Sequence, residues 1–588
     1  MSSLQQFCIA TAMAITGFAQ ESRDPHSFSN PHEVRVRHVD LDLSVSFADR
    51  KLAGTATLDI ERNGSAARRL ILDTRGLQID SVAAASADGA FSAARFKLGT
   101  RDPMLGSALT VDLPENAARV RVTYSTAPEA SGLQWLTPEQ TADKNHPFLY
   151  TQSQAIHARS WIPLQDSPAV RVTYSARIQA PRGTTAIMSA KKTGQGDFRM
   201  EQSIPPYLIA LAVGDLQYRA VSRRTGVYAE PSVVDKAARE FEDLDRMITA
   251  AEKLYGPYRC EQYDVLVLPP SFPYGGMENP RLTFVSSTLL AGDKSLVAVI
   301  SHEIAHSWSG NLVTNATWRD FWLNEGFTSY LERRIQELVF GPERADTEAL
   351  LERRSLDEDL KDLKTEDQVL DREMTGRDPD EIPPAIAYVK GSLLLRRLEE
   401  AHGRAVFDSF LRRYFSEFAF RSITTADFVA YLNKHLPGKV DLEPWLHAPG
   451  VPNDIPQIRS SALESVEKGA PPSKSWSTPQ WLHYINEVGP KLTVQQMTAL
   501  DKQFGLSRSG NAEILFAWLQ LAIRKNYEPA MGALDGFLTR VGRRKLVRPL
   551  YQELAKTETG KQRGRAIYAK ARPGYHPITQ ASIDPLLK

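Results

Sequence analysis

Val299 to Tyr330 reads V-I-S-H-E-I-A-H-S-W-S-G-N-L-V-T-N-A-T-W-R-D-F-W-L-N-E-G-F-T-S-Y, and it decides the fold of the chain around it. His302-Glu303-x-x-His306 opens it, and Glu325 follows after eighteen residues. Positions i and i+4 of a helix share a face, so His302 and His306 can point at one ion. Neutral imidazole suits zinc, and two imidazoles need a third ligand if one position is to stay open for water. Trp318, Phe321, Trp322, Phe327 and Tyr330 recur at helical spacing around Glu325. A helix, a turn at Ser309-Gly310-Asn311 and a second helix folded back would bring Glu325 to the ion. Glu303 then faces the bound water rather than the metal, the place for a general base.

Outside this stretch the composition is that of an ordinary globular chain. There are 588 residues, enough for three or four domains, with 42% hydrophobic and 24% charged residues. The formal net charge of +1 gives no global field for nucleic acid. Two cysteines, Cys8 and Cys260, exclude a disulfide framework and a cysteine zinc site. No run of eighteen apolar residues exists, so no transmembrane helix is expected. Phe7 to Ala19 has the length and small-residue end of a signal-peptide core but lacks a preceding Lys or Arg. Residues 1–21 therefore read either as an export signal or as a leader of a cytoplasmic protein.

From Val34 to Phe47 apolar residues alternate, with one slip of phase near His38 that a bulge would explain. Gly54 to Ile60, Leu70 to Leu72, Ala108 to Leu113, Val120 to Tyr124 and Val170 to Ile178 also read as strands. Residues 22–216 are expected to form a β-rich, saddle- or sandwich-like domain. Residues 217–450 mix strand and helix: Val233 to Tyr255 is helical, Tyr263 to Leu268 a buried strand, and Glu343 to Glu373 a charged helical stretch. Further helices are expected over Tyr388 to His402 and Val406 to Phe418. The Pro-rich residues 451–472 read as a linker, and residues 473–588 as a helical, superhelix-like domain.

These motifs carry a resemblance. The zinc-type His-Glu-x-x-His with Glu325, together with Gly275-Gly276-Met277-Glu278-Asn279, resembles the gluzincin aminopeptidases of peptidase family M1. Gly132 to Gln140, Thr151 to His157, Pro269 to Asp293 and Gly542-Arg543-Arg544-Lys545 resemble its leukotriene-A(4) hydrolase and aminopeptidase B branch. The resemblance covers nearly the whole chain from about residue 30. It implies a multidomain α+β architecture: an N-terminal β-saddle domain, a thermolysin-like catalytic domain and a C-terminal α-helical domain.

The resemblance also implies roles. Gly275, Gly276, Met277 and Asn279 would bind substrate, the Gly275-Gly276 backbone pairing with a substrate strand because Gly has no side chain in the way. Glu278, with Gln154, would hold the free α-amine of the substrate and make the enzyme an exopeptidase. Tyr388 would stabilise the developing oxyanion. Asp380 would line a deeper pocket. Arg543 and Lys545 would grip the terminal carboxylate, for which a guanidinium fork is well shaped.

One position departs from the branch. Its vertebrate epoxide hydrolases carry a tyrosine five residues before the catalytic one, where this chain has Pro383. The expectation is therefore a monomeric aminopeptidase with one zinc ion, cutting N-terminal residues from short peptides that have a free N-terminus. A fatty-acid epoxide hydrolase, an endopeptidase and a catalytically inactive peptide-binding scaffold are the competing readings.

Overall fold

The computed structural model describes residues 24–64 and 67–588. Residues 1–21, read above as a signal or leader, lie outside the described residues. The N-terminal domain is built on an eight-stranded sheet in which Val34–Ser46 lies between Lys51–Arg62 and Val172–Gln179. The first pairing is antiparallel and the second parallel. The slip of phase in the sequence is a shift of register between Val36 and His38. Four- and three-stranded sheets complete the domain. The inward-facing aliphatic residues of these strands form one core, which continues into Phe272, Met277, Phe284 and Trp318 of the next domain. The β-domain is thus packed against the residues that carry the site.

The catalytic domain has a five-stranded sheet. Thr225–Ala229, Tyr263–Leu268 and Leu282–Ser286 run parallel, and the short strand Gly276–Met277 lies antiparallel at its edge. Every residue of Tyr263–Leu268 is buried, as its unbroken apolar run demands. Helices Pro231–Glu240 and Leu244–Tyr255 replace the single helix expected there. The charged helix Pro342–Asp362 also ends earlier than its composition suggests. There the side chain of Gln368 folds back and donates to the carbonyls of Leu360 and Leu363, closing the helix end. Residues 363–385 then cross the domain with only short turns.

Within residues 451–472, Ser461–Glu467 is a helix with Leu463 and Val466 buried, and Ser460 caps it. Beyond it, helices from Thr478–Glu487 to Pro577–Ile583 pack around Trp518, Leu534, Leu546 and Tyr551. Among the described residues no helix is long and apolar enough to cross a membrane.

Candidate metal centre and substrate cleft

Helix Ala298–Ala305 carries His302 and Glu303, and His306 caps its end. The chain turns at Ser309 to Asn311 and re-enters a helix at Trp322–Phe340, which carries Glu325. Gly310 permits the turn. Its φ is +102°, and a Cβ there would lie 2.6 Å from Asn324 Oδ1. Ser309 ties the turn to the second helix by donating to the carbonyls of Leu323 and Asn324.

The result brings His302 Nε2 within 3.3 Å, and His306 Nε2 within 3.5 Å, of Glu325 Oε2. The three ligand atoms lie within 4.8 Å of one another. Each imidazole is oriented through its other nitrogen. His302 Nδ1 is 2.9 Å from the Glu332 carboxylate, and His306 Nδ1 is 3.1 Å from the carbonyl of Ser309. Both acceptors require a proton on Nδ1, which leaves both Nε2 lone pairs for a metal. Glu325 Oε2 is buried and has no hydrogen-bond partner. This donor set fits zinc.

The electrostatics agree. Glu278, Glu303, Glu325 and Glu332 are all buried around two imidazoles. Burial pushes Glu303 well above the usual carboxylate range, and Glu278, Glu325 and Glu332 push it further, against His302. Burial also raises Glu278, with Glu325 adding to it and the two histidines opposing. Burial lowers the His302 imidazole, yet Glu325 and Glu332 outweigh that and hold it well above its usual range. Four carboxylates against two imidazoles and Arg333, which bonds Glu332, still leave a deficit of positive charge that a dication would fill.

Tyr388 stacks on His302 with ring centroids 5.6 Å apart and planes 5° from parallel. Burial first, then Glu325, keeps its phenol neutral and available to donate. It sits in a widened turn, Ile386–Lys390, ahead of helix Gly391–His402. A Cβ on Gly391 would lie 2.8 Å from Gly326 Cα, so the tyrosine helix and the Glu325 helix cross backbone to backbone.

A cavity of about 1050 Å³ opens onto these groups. Gln154, Gly275, Gly276, Met277, Glu278, Asp380 and Arg543 line it, along with the three metal-type ligands, Glu303 and Tyr388. Gly276 could be nothing larger, since a Cβ would lie 2.1 Å from Glu303 Oε1. Glu278 Oε1 and Gln154 Nε2 are both buried and unpartnered. Asn279 is buried behind Glu278 and does not reach the cavity wall. Asp380 accepts from His157 Nε2 at 2.5 Å, and His157 Nδ1 accepts from Arg75 at 2.8 Å. Burial raises Asp380, but His157, the Ala155 amide and Arg75 outweigh it and leave the carboxyl below its usual range.

Arg543 and Lys545 part company. Arg543 is buried on the cavity wall, its guanidinium 3.2 Å from Glu513. The Lys545 side chain is 68% exposed and reaches Glu513 from outside at 3.6 Å. Ile382 and Pro384 line the cavity on either side of Pro383. Sequence reasoning missed Glu332, Glu513, His157 and His576, the last reaching the cavity from the C-terminal domain. Two of them had a signal: His157 ends the Thr151 to His157 stretch that carries the resemblance, and Glu332 lies seven residues after Glu325, two turns along the same helix face.

Comparison with known proteins agrees with this geometry. Residues 35–204 match the peptidase M1 N-terminal domain, 239–445 the peptidase family M1 domain, and 476–587 the leukotriene A4 hydrolase C-terminal domain. The chain is 37% identical to leukotriene A-4 hydrolase of Xenopus laevis, over 95% of this chain and 98% of that protein. The chain belongs to peptidase family M1. Leucine aminopeptidase 2 of Yarrowia lipolytica is 38% identical, over 96% of this chain and 93% of that protein. The structure of yeast LTA4 hydrolase with bestatin superposes with a TM-score of 0.89 at 32% identity, covering 97% of this chain and 98% of that one. An M1 zinc metallopeptidase from Deinococcus radiodurans shares the fold alone, with a TM-score of 0.57 over 75% of this chain and 97% of that one. M1 metallopeptidases are zinc enzymes, and this M1 chain is a zinc-dependent aminopeptidase.

Proposed function

We propose that His302, His306 and Glu325 hold a single zinc ion and that the protein works as a monomer on short peptides with a free N-terminus. Bound zinc supplies Lewis-acid polarisation of the scissile carbonyl and lowers the pKa of water. Glu303 takes the proton of the attacking water and returns it to the leaving amine. Its buried carboxyl, raised above the usual range, is a suitable acceptor and donor in turn. The neutral Tyr388 phenol donates to the developing oxyanion.

Glu278 and Gln154 bind the α-amine. The substrate backbone lies along Gly275, Gly276 and Met277, at the exposed edge of the five-stranded sheet. Arg543 receives the terminal carboxylate, with Lys545 as a second cation at the mouth, and Asp380 faces the side chains that reach deepest. We assign the β-domain to residues 22–216, the catalytic domain to 217–450, the linker to 451–472 and the helical domain to 473–588.

The observation that carries the exopeptidase reading is Glu278 Oε1, buried without a partner on the wall that also holds the metal-type ligands. The test compares a tripeptide with its N-acetyl form. Wild type should cleave the free form far faster, and Glu278→Ala should erase much of that preference. Equal cleavage of both forms by wild type would favour the endopeptidase reading. Glu303→Gln should lose roughly a hundredfold to ten-thousandfold in kcat while keeping its metal.

A further inference from the structure

Arg171 belongs to the β-domain, yet its guanidinium is buried against the turn that follows the two histidines. Nη2 donates to the carbonyl of Asn311 at 2.6 Å and to that of Ser203 at 2.6 Å, and Nε donates to Ser203 at 3.1 Å. Nη1 donates to the Thr314 hydroxyl, which in turn donates to the carbonyl of Gly310 at 2.5 Å. Its partners are carbonyls and a hydroxyl, and its charged-type neighbours are Tyr207 and Cys260 rather than a carboxylate. Burial brings its pKa down to about 10, so it remains a cation at neutral pH. A buried cation without a carboxylate is costly, and the core of a stable domain has no need of one.

The turn that Arg171 grips touches His306, the helix of Glu325 and the main chain of Glu278. Ser309 O accepts from His306 Nδ1, and Ser309 Oγ holds the helix turn that precedes Glu325. Asn311 Nδ2 donates to the main-chain carbonyl of Glu278 at 2.9 Å. Asn311 is therefore held from one side by Arg171 and holds Glu278 from the other.

We infer that Arg171 is a positioning residue for amine recognition: through Asn311 it sets the Glu278 carboxylate at a fixed distance from the metal-type ligands. The inference rests on the reading of Glu278 as the amine-binding group. It gives the β-domain a part in substrate discrimination, although Arg171 is not among the residues lining the cavity. A lysine keeps the charge but cannot reach Ser203, Asn311 and Thr314 together.

The experiment uses the full-length zinc enzyme with alanyl p-nitroanilide. The probes are 2-amino-4-methylpentan-1-ol and 4-methylpentan-1-ol, which differ only in the amine. The ratio of their inhibition constants reports amine recognition, and bound zinc is measured alongside. Arg171→Lys should reduce the ratio by about threefold to tenfold, with KM rising more than kcat falls and zinc content unchanged. Asn311→Ala, which keeps the carbonyl for Arg171 but removes the donor to Glu278, should give the same loss and decides the matter if Arg171→Lys does not fold. In a Glu278→Gln background, Arg171→Lys should change the ratio no further. A ratio unchanged in Arg171→Lys, or in Asn311→Ala where Arg171→Lys does not fold, overturns the inference, as does a loss that persists in Glu278→Gln. A wild-type ratio near one overturns the Glu278 reading itself, and this inference with it.

Discussion

Glu332→Gln is the sharpest test of how the metal centre is held. Glu332 Oε2 lies 2.9 Å from His302 Nδ1, and Oε1 accepts from Arg333 at 3.1 Å and Gln336 at 3.0 Å. All three neighbours are donors, so the site needs an acceptor at both oxygens. An amide offers one oxygen and one NH2 group. If the NH2 faces Arg333 and Gln336, two donors meet a donor. If it faces His302, the ring must move its proton to Nε2, the lone pair that should bind metal. Neither orientation satisfies the site, although the volume hardly changes. Partners of metal-bound histidines are worth about tenfold to a hundredfold in metal affinity, or ~1.4–2.7 kcal/mol. Zinc affinity of wild type and Glu332→Gln, measured by chelator competition at one pH, should differ by that factor. Arg333 keeps Glu348 at 2.7 Å, so the metal-free variant should retain its fold by circular dichroism. Unchanged zinc affinity would refute the argument. A loss as large as that of Glu325→Ala would mean that Glu332 is itself a ligand.

Other outcomes follow from single contacts. Gly391→Ala puts a methyl 2.8 Å from Gly326 Cα and should cost about 1–3 kcal/mol, with kcat reduced and zinc retained because Tyr388 shifts with its helix; thermal denaturation and metal analysis read both. Arg543→Ala should lower kcat/KM for a tripeptide acid about tenfold to a hundredfold more than for its C-terminal amide, and equal losses would withdraw the carboxylate role. Burial raises Asp264 from 3.8 to about 6. A raised carboxyl adds stability at low pH and loses it as pH climbs from the unfolded to the folded value, so Asp264→Asn should gain on wild type by ~3 kcal/mol between pH 3 and pH 7 in urea titrations.

What could be read from the chain, and what could not, follows from sequence distance. His302, His306 and Glu325 stand on two helices joined by one turn, so helical period alone brings them together. The Gly275-Gly276 pair was legible because a missing side chain leaves a mark in the sequence. Its reason was not: Gly276 must clear Glu303, and only the packed structure shows that a Cβ would meet its carboxylate. Glu513 lies 30 residues from Arg543 on another helix, and a glutamate on a helix ordinarily faces water. Arg171 immediately precedes the strand Val172–Gln179, at the start of a run that alternates apolar and polar residues, where an arginine reads as the solvent face. Its burial arises from a second domain covering that face, which no local pattern encodes.

The charge balance of the centre argues for two cations rather than one. Arg333 offsets Glu332, zinc would offset much of the remaining deficit, and each histidine would then bind as a neutral ring. Glu278 Oε1 and Gln154 Nε2 are unpartnered atoms beside the His302–His306–Glu325 group, and Glu278 also clusters with Glu303 and His306, their ligand atoms within 4.8 Å of one another. A buried carboxylate oxygen without a donor is expensive in the resting enzyme, by ~1–3 kcal/mol or more for a charged group. A substrate ammonium supplies the missing donor, and an N-acetyl group does not. Selectivity for free N-termini then comes as much from relief of that unpaired oxygen as from attraction. The preference should weaken in Glu278→Gln by more than the loss of one ion pair at a solvated surface, where such pairs are worth less than about 1 kcal/mol. A preference for the free amine that falls by less than about fivefold in Glu278→Gln would mean that water already satisfies Oε1 in the resting enzyme, and the argument from its burial would fail.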